Sequence, residues 1–134
     1  MPPSAPGPPP HPWLRSRLAS FGYALAGLRI LVATQPHARF HAAATLAVLA
    51  AGWFFDVSRL EWAVLGLAVG AVWSAEALNT ALEWLVDLVH PTWAPTAGRI
   101  KDVAAAGVLV VAIASASVGV LVFWPYLARE LGVG

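Results

Sequence analysis

Along most of this chain polar residues interrupt long apolar runs only at intervals, and those intervals predict the elements. From Trp13 onward Leu14, Leu18, Phe21, Leu25, Leu28 and Val32 recur at steps of four and three, the spacing of one helical stripe. Arg15, Arg17 and Arg29 flank it. This pattern predicts an amphipathic helix over 13–34 that lies in a membrane surface or packs against other helices. Three apolar segments follow. The first, Phe40 to Phe55, contains no charge and has 16 residues, short for a span of about 20. The second runs from Glu61 to about Val89, and the third, Val103 to Ala128, is charge-free. Polar links at Asp56–Arg59 and His90–Gly98 separate them, the latter carrying Pro91 and Pro95. The expected architecture is all-α and integral to a membrane: a surface helix plus three transmembrane helices, at about 39–56, 61–89 and 101–125.

Composition strengthens this reading. Of 134 residues, 59% are hydrophobic and 11% charged, where a soluble domain carries about 25% charge. So little charge cannot coat a water-facing surface of this size. A net charge of +1 excludes nucleic-acid binding driven by bulk charge, and the absence of cysteine excludes disulfides and thiolate chemistry. The first twelve residues hold seven prolines and read as a disordered tail, with no pattern of a signal peptide. Arg15, Arg17, Arg29, Arg39, Arg99 and Lys101 fall on one side of the predicted crossings, and only Arg59 and Arg129 on the other. Six against two places the amino terminus and the 90–101 loop in the cytoplasm, the chain being a multi-pass protein of the cell membrane. Trp53 and Trp62 are then expected at the outer interface, with Trp84 and Trp93 near the inner one.

The chemistry concentrates in the second apolar segment. Glu76, Asn79, Glu83 and Asp87 fall within roughly 80° of arc on one helix face, with Thr80 on the same side. At the helical rise, Glu83 lies about 6 Å and Glu76 about 16 Å deeper than Asp87. An ionised side chain at bilayer depth costs about 2.5–3.5 kcal/mol, so three carboxylates on one face point to function more than to a structural polar seam. Carboxylate and carboxamide oxygens suit Mg²⁺, which takes one or two carboxylates together with substrate phosphates. A carboxylate withdrawn from water is the type of group used as a general base or a proton carrier. Lys101, the only lysine, stands beside Asp102 and near Arg99 and supplies a cation for phosphate charge. No glycine-rich phosphate loop is present, so a nucleotide site would be built from helix faces.

Glu76-x-x-Asn79-Thr80-Ala81-x-Glu83-x-x-Val86-Asp87, followed by Lys101-Asp102-x-Ala104-Ala105, resembles the prokaryotic diacylglycerol kinase family, which includes the undecaprenol kinases. The likeness extends upstream to Phe21-Gly-Tyr23-Ala24 with Gly27-Leu28, and downstream to the ending at Pro125. The resemblance implies a homotrimer of three-span subunits with shared active sites. It also implies transfer of the ATP γ-phosphate to the hydroxyl of a membrane lipid alcohol, with Mg²⁺ as cofactor. By position it implies that Glu76 is the catalytic base and meets the lipid, and that Glu83 is the principal Mg²⁺ ligand. It implies further that Asn79, Glu83, Asp87, Lys101 and Asp102 hold the nucleotide and that Tyr23 covers it. The sequence departs from the family in two places. Gln35 stands where a metal-binding glutamate is usual, and Trp93-Ala94 where the 90–98 loop often has a histidine. Arg39 and His41 fit the family motif at the first crossing; Arg39 is a lipid-headgroup or phosphate contact, or a positive-inside anchor. His11 and His37 read as ordinary surface residues. Two other functions stay open: a small proton-coupled transporter with Glu76 and Glu83 as relay, and a catalytically degenerate scaffold, which the Gln35 substitution allows.

Overall fold

The computed structural model describes residues 12–92 and 94–133, with side chains from residue 19 onward. Residues 1–11 of the proline-rich tail, Trp93 and Gly134 lie outside the described residues, whereas Pro12, assigned from sequence to the tail, is the first residue of α1. Four helices account for nearly all of the described chain: α1 (Pro12–Thr34), α2 (Pro36–Phe54), α3 (Arg59–Val89) and α4 (Pro95–Glu130). The secondary structure of the described residues is all-helical, and α3 and α4 are long and apolar enough to cross a membrane. The 19 residues of α2 make a helix about 28 Å long, close to the thickness of a hydrocarbon core.

Local chemistry sets the boundaries. Pro36 and Pro95 occupy first-turn positions of α2 and α4, where a missing N–H costs nothing and the fixed φ suits a helix start. The last helix therefore begins at Pro95, inside the stretch that its two prolines mark as a link. Pro125, where the sequence pattern predicts the end of a span, lies within α4, which continues to Glu130. The ring removes one backbone donor, but the turns on either side carry the helix past it. α3 starts with a capping box: the Ser58 hydroxyl accepts the Glu61 N–H at 3.3 Å, and the Glu61 carboxylate accepts the Ser58 N–H at 2.7 Å. Gly132, at φ +65°, closes α4 in the left-handed conformation that glycine adopts without strain.

Packing is thin for a chain of this length. Leu65, Val72, Glu76 and Thr80 form the buried face of α3, and the remaining buried apolar side chains are few: Leu31, Ala38, Val57 and Ala128. Leu67, Leu109, Ile113 and Leu121 point outward, as expected where the surrounding solvent is lipid. At one end of the bundle Phe55 packs against Phe123 and Tyr126, and the Tyr126 hydroxyl donates to Glu61 at 2.8 Å. These contacts bind the start of α3 to the end of α4. Trp62 covers Gly52 so closely that a Cβ there would lie 2.5 Å from the ring. Midway, the Ser115 hydroxyl donates to the Ala68 carbonyl at 3.1 Å.

The apolar stripe of α1 meets the bundle only along one edge. Phe21 and Leu25 are exposed, whereas Leu31 is buried and Ala24, Gly27 and Leu28 border a cavity of about 410 Å³ against Ala77, Thr80 and Trp84 of α3. The contact face is offset from the stripe by about 80° at 100° per residue. The small residues Ala24 and Gly27 let α1 approach α3, which leaves Phe21 and Leu25 outward. Trp53 is exposed, Trp84 is partly exposed and Trp62 is half-buried.

Candidate active site

The acidic face of α3 becomes progressively more exposed toward the helix end. Glu76 is 3% exposed, Asn79 and Glu83 are half-buried, and the Asp87 side chain is 62% exposed. Each of these groups has its own partner. Glu76 faces His41 of α2, with Oε2 4.0 Å from Nε2. Asn79 donates through Nδ2 to Glu83 Oε1 at 3.0 Å, an i to i+4 pair along the helix. Lys101 of α4 donates through Nζ to Asp87 Oδ1. The column is thus anchored to α2 at its buried end and to α4 at its exposed end.

Among the described residues, two polar atoms on this face are buried and without a partner, Asn79 Oδ1 and Thr80 Oγ1. An amide oxygen left in this state costs about 1–3 kcal/mol, so its retention needs a reason. The Nδ2 contact brings the Asn79 carboxamide and the Glu83 carboxylate, two groups with hard oxygen atoms, side by side. Among the described residues no three acidic or imidazole side chains cluster as a ready-made metal cage. The donor set nevertheless fits Mg²⁺, which keeps several waters and completes its shell with phosphate oxygens. Glu76 stands about 10 Å along the axis from Glu83, so the candidate base and the candidate metal ligand are separate stations.

A cleft of about 180 Å³ opens at the exposed end, lined by Asp87, His90, Thr92, Gly98 and Lys101. The first turns of α4 form one wall, which adds the positive end of a helix dipole to the Lys101 ammonium. Phosphate charge is what such a wall attracts. An apolar groove of about 350 Å³ runs on the opposite side of the Glu76–His41 pair, between α2, α3 and α4, from His41 past Val72 and Ser115 to Phe123.

The other residues singled out from sequence sit elsewhere. Tyr23 is 77% exposed on α1, and Asp102 is exposed on α4 without a hydrogen bond or ion pair among the described residues. Gln35 is the N-cap of α2, and its side chain makes no capping bond. Arg39 closes the end of α1: its guanidinium donates from Nε to the Val32 carbonyl at 3.0 Å and from Nη2 to the Ala33 carbonyl at 2.6 Å. Two carbonyls that a helix end leaves open are satisfied there. His37 is exposed. The His41–Glu76 pairing had no sequence signal, because 35 residues separate the two and only the α2–α3 packing brings them together.

A family model described as prokaryotic diacylglycerol kinase matches residues 22–123, a range that holds every one of these groups. The chain belongs to the prokaryotic diacylglycerol kinase family. It is 41% identical over 108 residues to the undecaprenol kinase of Bacillus subtilis (strain 168), covering 81% of this chain and 88% of that protein. It is 40% identical over 111 residues to a diacylglycerol kinase of Synechocystis sp., covering 82% of this chain and 63% of the relative. With the diacylglycerol kinase of Escherichia coli (strain K12) the identity is 28% over 105 residues, 78% of this chain and 86% of the relative. Within this family the acidic face of α3 and the start of α4 fall inside the matched segment.

Proposed function

We propose that this protein is an integral-membrane lipid kinase that transfers the γ-phosphate of ATP to the hydroxyl of a lipid alcohol. The observation that carries this reading is the graded acidic column, buried at Glu76 and ending in an exposed Asp87–Lys101 pair, in a chain similar to kinases of two membrane lipids. A hydrocarbon core takes up about 20 helical residues. Counted from Arg59, the start of α3, those residues end near Leu78. Glu76 then lies at the inner edge of the hydrocarbon, Glu83 at headgroup level and Asp87 in water. A lipid alcohol resting at the interface brings its hydroxyl to Glu76, and water-soluble ATP meets Lys101.

Phosphoryl transfer depends mainly on positioning and charge neutralisation. In this reading Glu76 accepts the hydroxyl proton as the lipid oxygen attacks the γ-phosphorus, the bond to the β–γ bridging oxygen breaks, and ADP leaves. Lys101 carries phosphate charge, and Asp87 holds the ammonium in place. Tyr23 and Asp102 extend the nucleotide site. Mg²⁺, held by Glu83 with Asn79 Oδ1, neutralises phosphate charge when bound. Arg39 acts in the architecture of α1, and Gln35 leaves Glu83 as the main carboxylate at the metal.

The family resemblance further supports a cytoplasmic-membrane homotrimer with three crossings per subunit and a cytoplasmic amino terminus. The outward projection of Tyr23 and Asp102, together with the uncovered apolar faces of α3 and α4, suits sites completed between copies. Purified protein in detergent, given γ-labelled ATP and Mg²⁺ with either diacylglycerol or a polyprenol, tests the function. Labelled lipid phosphate is the expected product. Label that stays in ATP with both alcohols overturns the reading, and unequal initial rates identify the acceptor.

A further inference from the structure

Glu76 is held by a single group among the described residues, and that group comes from another helix. Its carboxylate is buried, with His41 Nε2 at 4.0 Å. This separation exceeds a direct hydrogen bond but lies within ion-pair range, and contacts of catalytic groups often shorten when substrate binds. The imidazole itself is firmly seated. Its side chain is 12% exposed, and its ring lies edge-on to Phe40 with centroids 5.8 Å apart. The His41 backbone carbonyl accepts the Thr45 hydroxyl at 2.8 Å, and the Thr45 oxygen accepts the Trp73 indole N–H at 3.1 Å. Trp73 and Glu76 are three residues apart on α3, as His41 and Thr45 are four apart on α2. Two polar rungs therefore fix α2 against α3 at the level of the carboxylate.

A buried glutamate has three rotatable side-chain bonds and needs an external reference to aim its oxygens. We propose that His41 is a positioning residue for Glu76: its Nε2–H points the carboxylate toward the incoming hydroxyl. The inference rests on Glu76 being the base of the proposed transfer. Misplacing a reacting group by about 1 Å can cost 10²-fold in rate, so loss of the reference should appear in kcat and not in nucleotide affinity.

Initial rates for His41→Ala, His41→Gln and His41→Leu test the inference, with Glu76→Gln run beside them. Glutamine places an amide N–H where Nε2 stands, whereas leucine fills similar space without a donor. The expected result is a kcat loss of about 10- to 100-fold for alanine and leucine, an ATP KM within about twofold of the parent, and recovery to within a few-fold for glutamine. Leucine as active as the parent, or glutamine no better than leucine, overturns the positioning role. The glutamine–leucine comparison also serves if the alanine variant fails to assemble. Full activity of Glu76→Gln would instead remove the base reading itself, which keeps the two failures distinct.

Discussion

Replacing Lys101 by alanine separates stability from function, because the structure assigns this residue little of the first. Its side chain is 35% exposed and that of its partner Asp87 is 62% exposed. A pair so open to solvent contributes about 0–1 kcal/mol to stability. Thermal unfolding in detergent should therefore move by no more than a few degrees. A contact between an ammonium and a phosphate is worth more, about 1.5–3 kcal/mol for a hydrogen bond to a charged group. At 1.4 kcal/mol per factor of ten, this predicts a rise in the ATP KM of about 10- to 150-fold. The measurement is the initial rate across ATP concentrations at saturating lipid alcohol, repeated across lipid concentrations at saturating ATP. Lys101→Arg should recover part of the loss, since it restores charge but changes the geometry of the donors. An unchanged ATP KM, or a change confined to the KM for lipid, would refute the assignment of Lys101 to the nucleotide.

Three further outcomes follow from the geometry. Chelation of divalent cations should abolish turnover, and Glu83→Gln should raise the Mg²⁺ concentration for half-maximal rate by roughly tenfold or more; an unaltered Mg²⁺ titration would exclude Glu83 as a ligand. Gly52→Ala, whose Cβ would meet the Trp62 ring, should destabilise by about 1–3 kcal/mol, with Trp62→Leu relieving it and the ATP KM unchanged; additive effects in the double variant would disprove the clash.

Features confined to one helix were readable from the sequence, because helical periodicity converts spacing into direction. The shared face of Glu76, Asn79, Thr80 and Glu83 needs only the 100° step, and long charge-free runs need only the length of a span. Features that depend on two helices were not readable. His41 meets Glu76 through the packing of α2 on α3, which no local pattern encodes; the motif puts Lys101 in one site with Asp87, but their direct contact comes from the packing of α4 on α3. Arg39 looked available for a headgroup because its spacing says nothing of the open carbonyls seven and six residues behind it. Pro125 likewise read as a terminus, although a long helix can carry one missing donor. On α1 the amphipathic stripe identified the helix, but Ala24 and Gly27 decided which side approaches α3. Bulk marks what an apolar surface will cover; small size marks where a neighbour can come close.

The most direct test of the central claim is the turnover of Glu76→Gln in detergent, measured with γ-labelled ATP, Mg²⁺ and the preferred lipid alcohol, alongside binding of ATP·Mg²⁺ to the same preparation. The buried carboxylate is the group placed to take the lipid proton, and the nucleotide contacts at Glu83 and Asp87 lie about 10–16 Å away along the helix. The account predicts near-complete loss of lipid phosphorylation with nucleotide affinity retained. Turnover at the parental rate would contradict it.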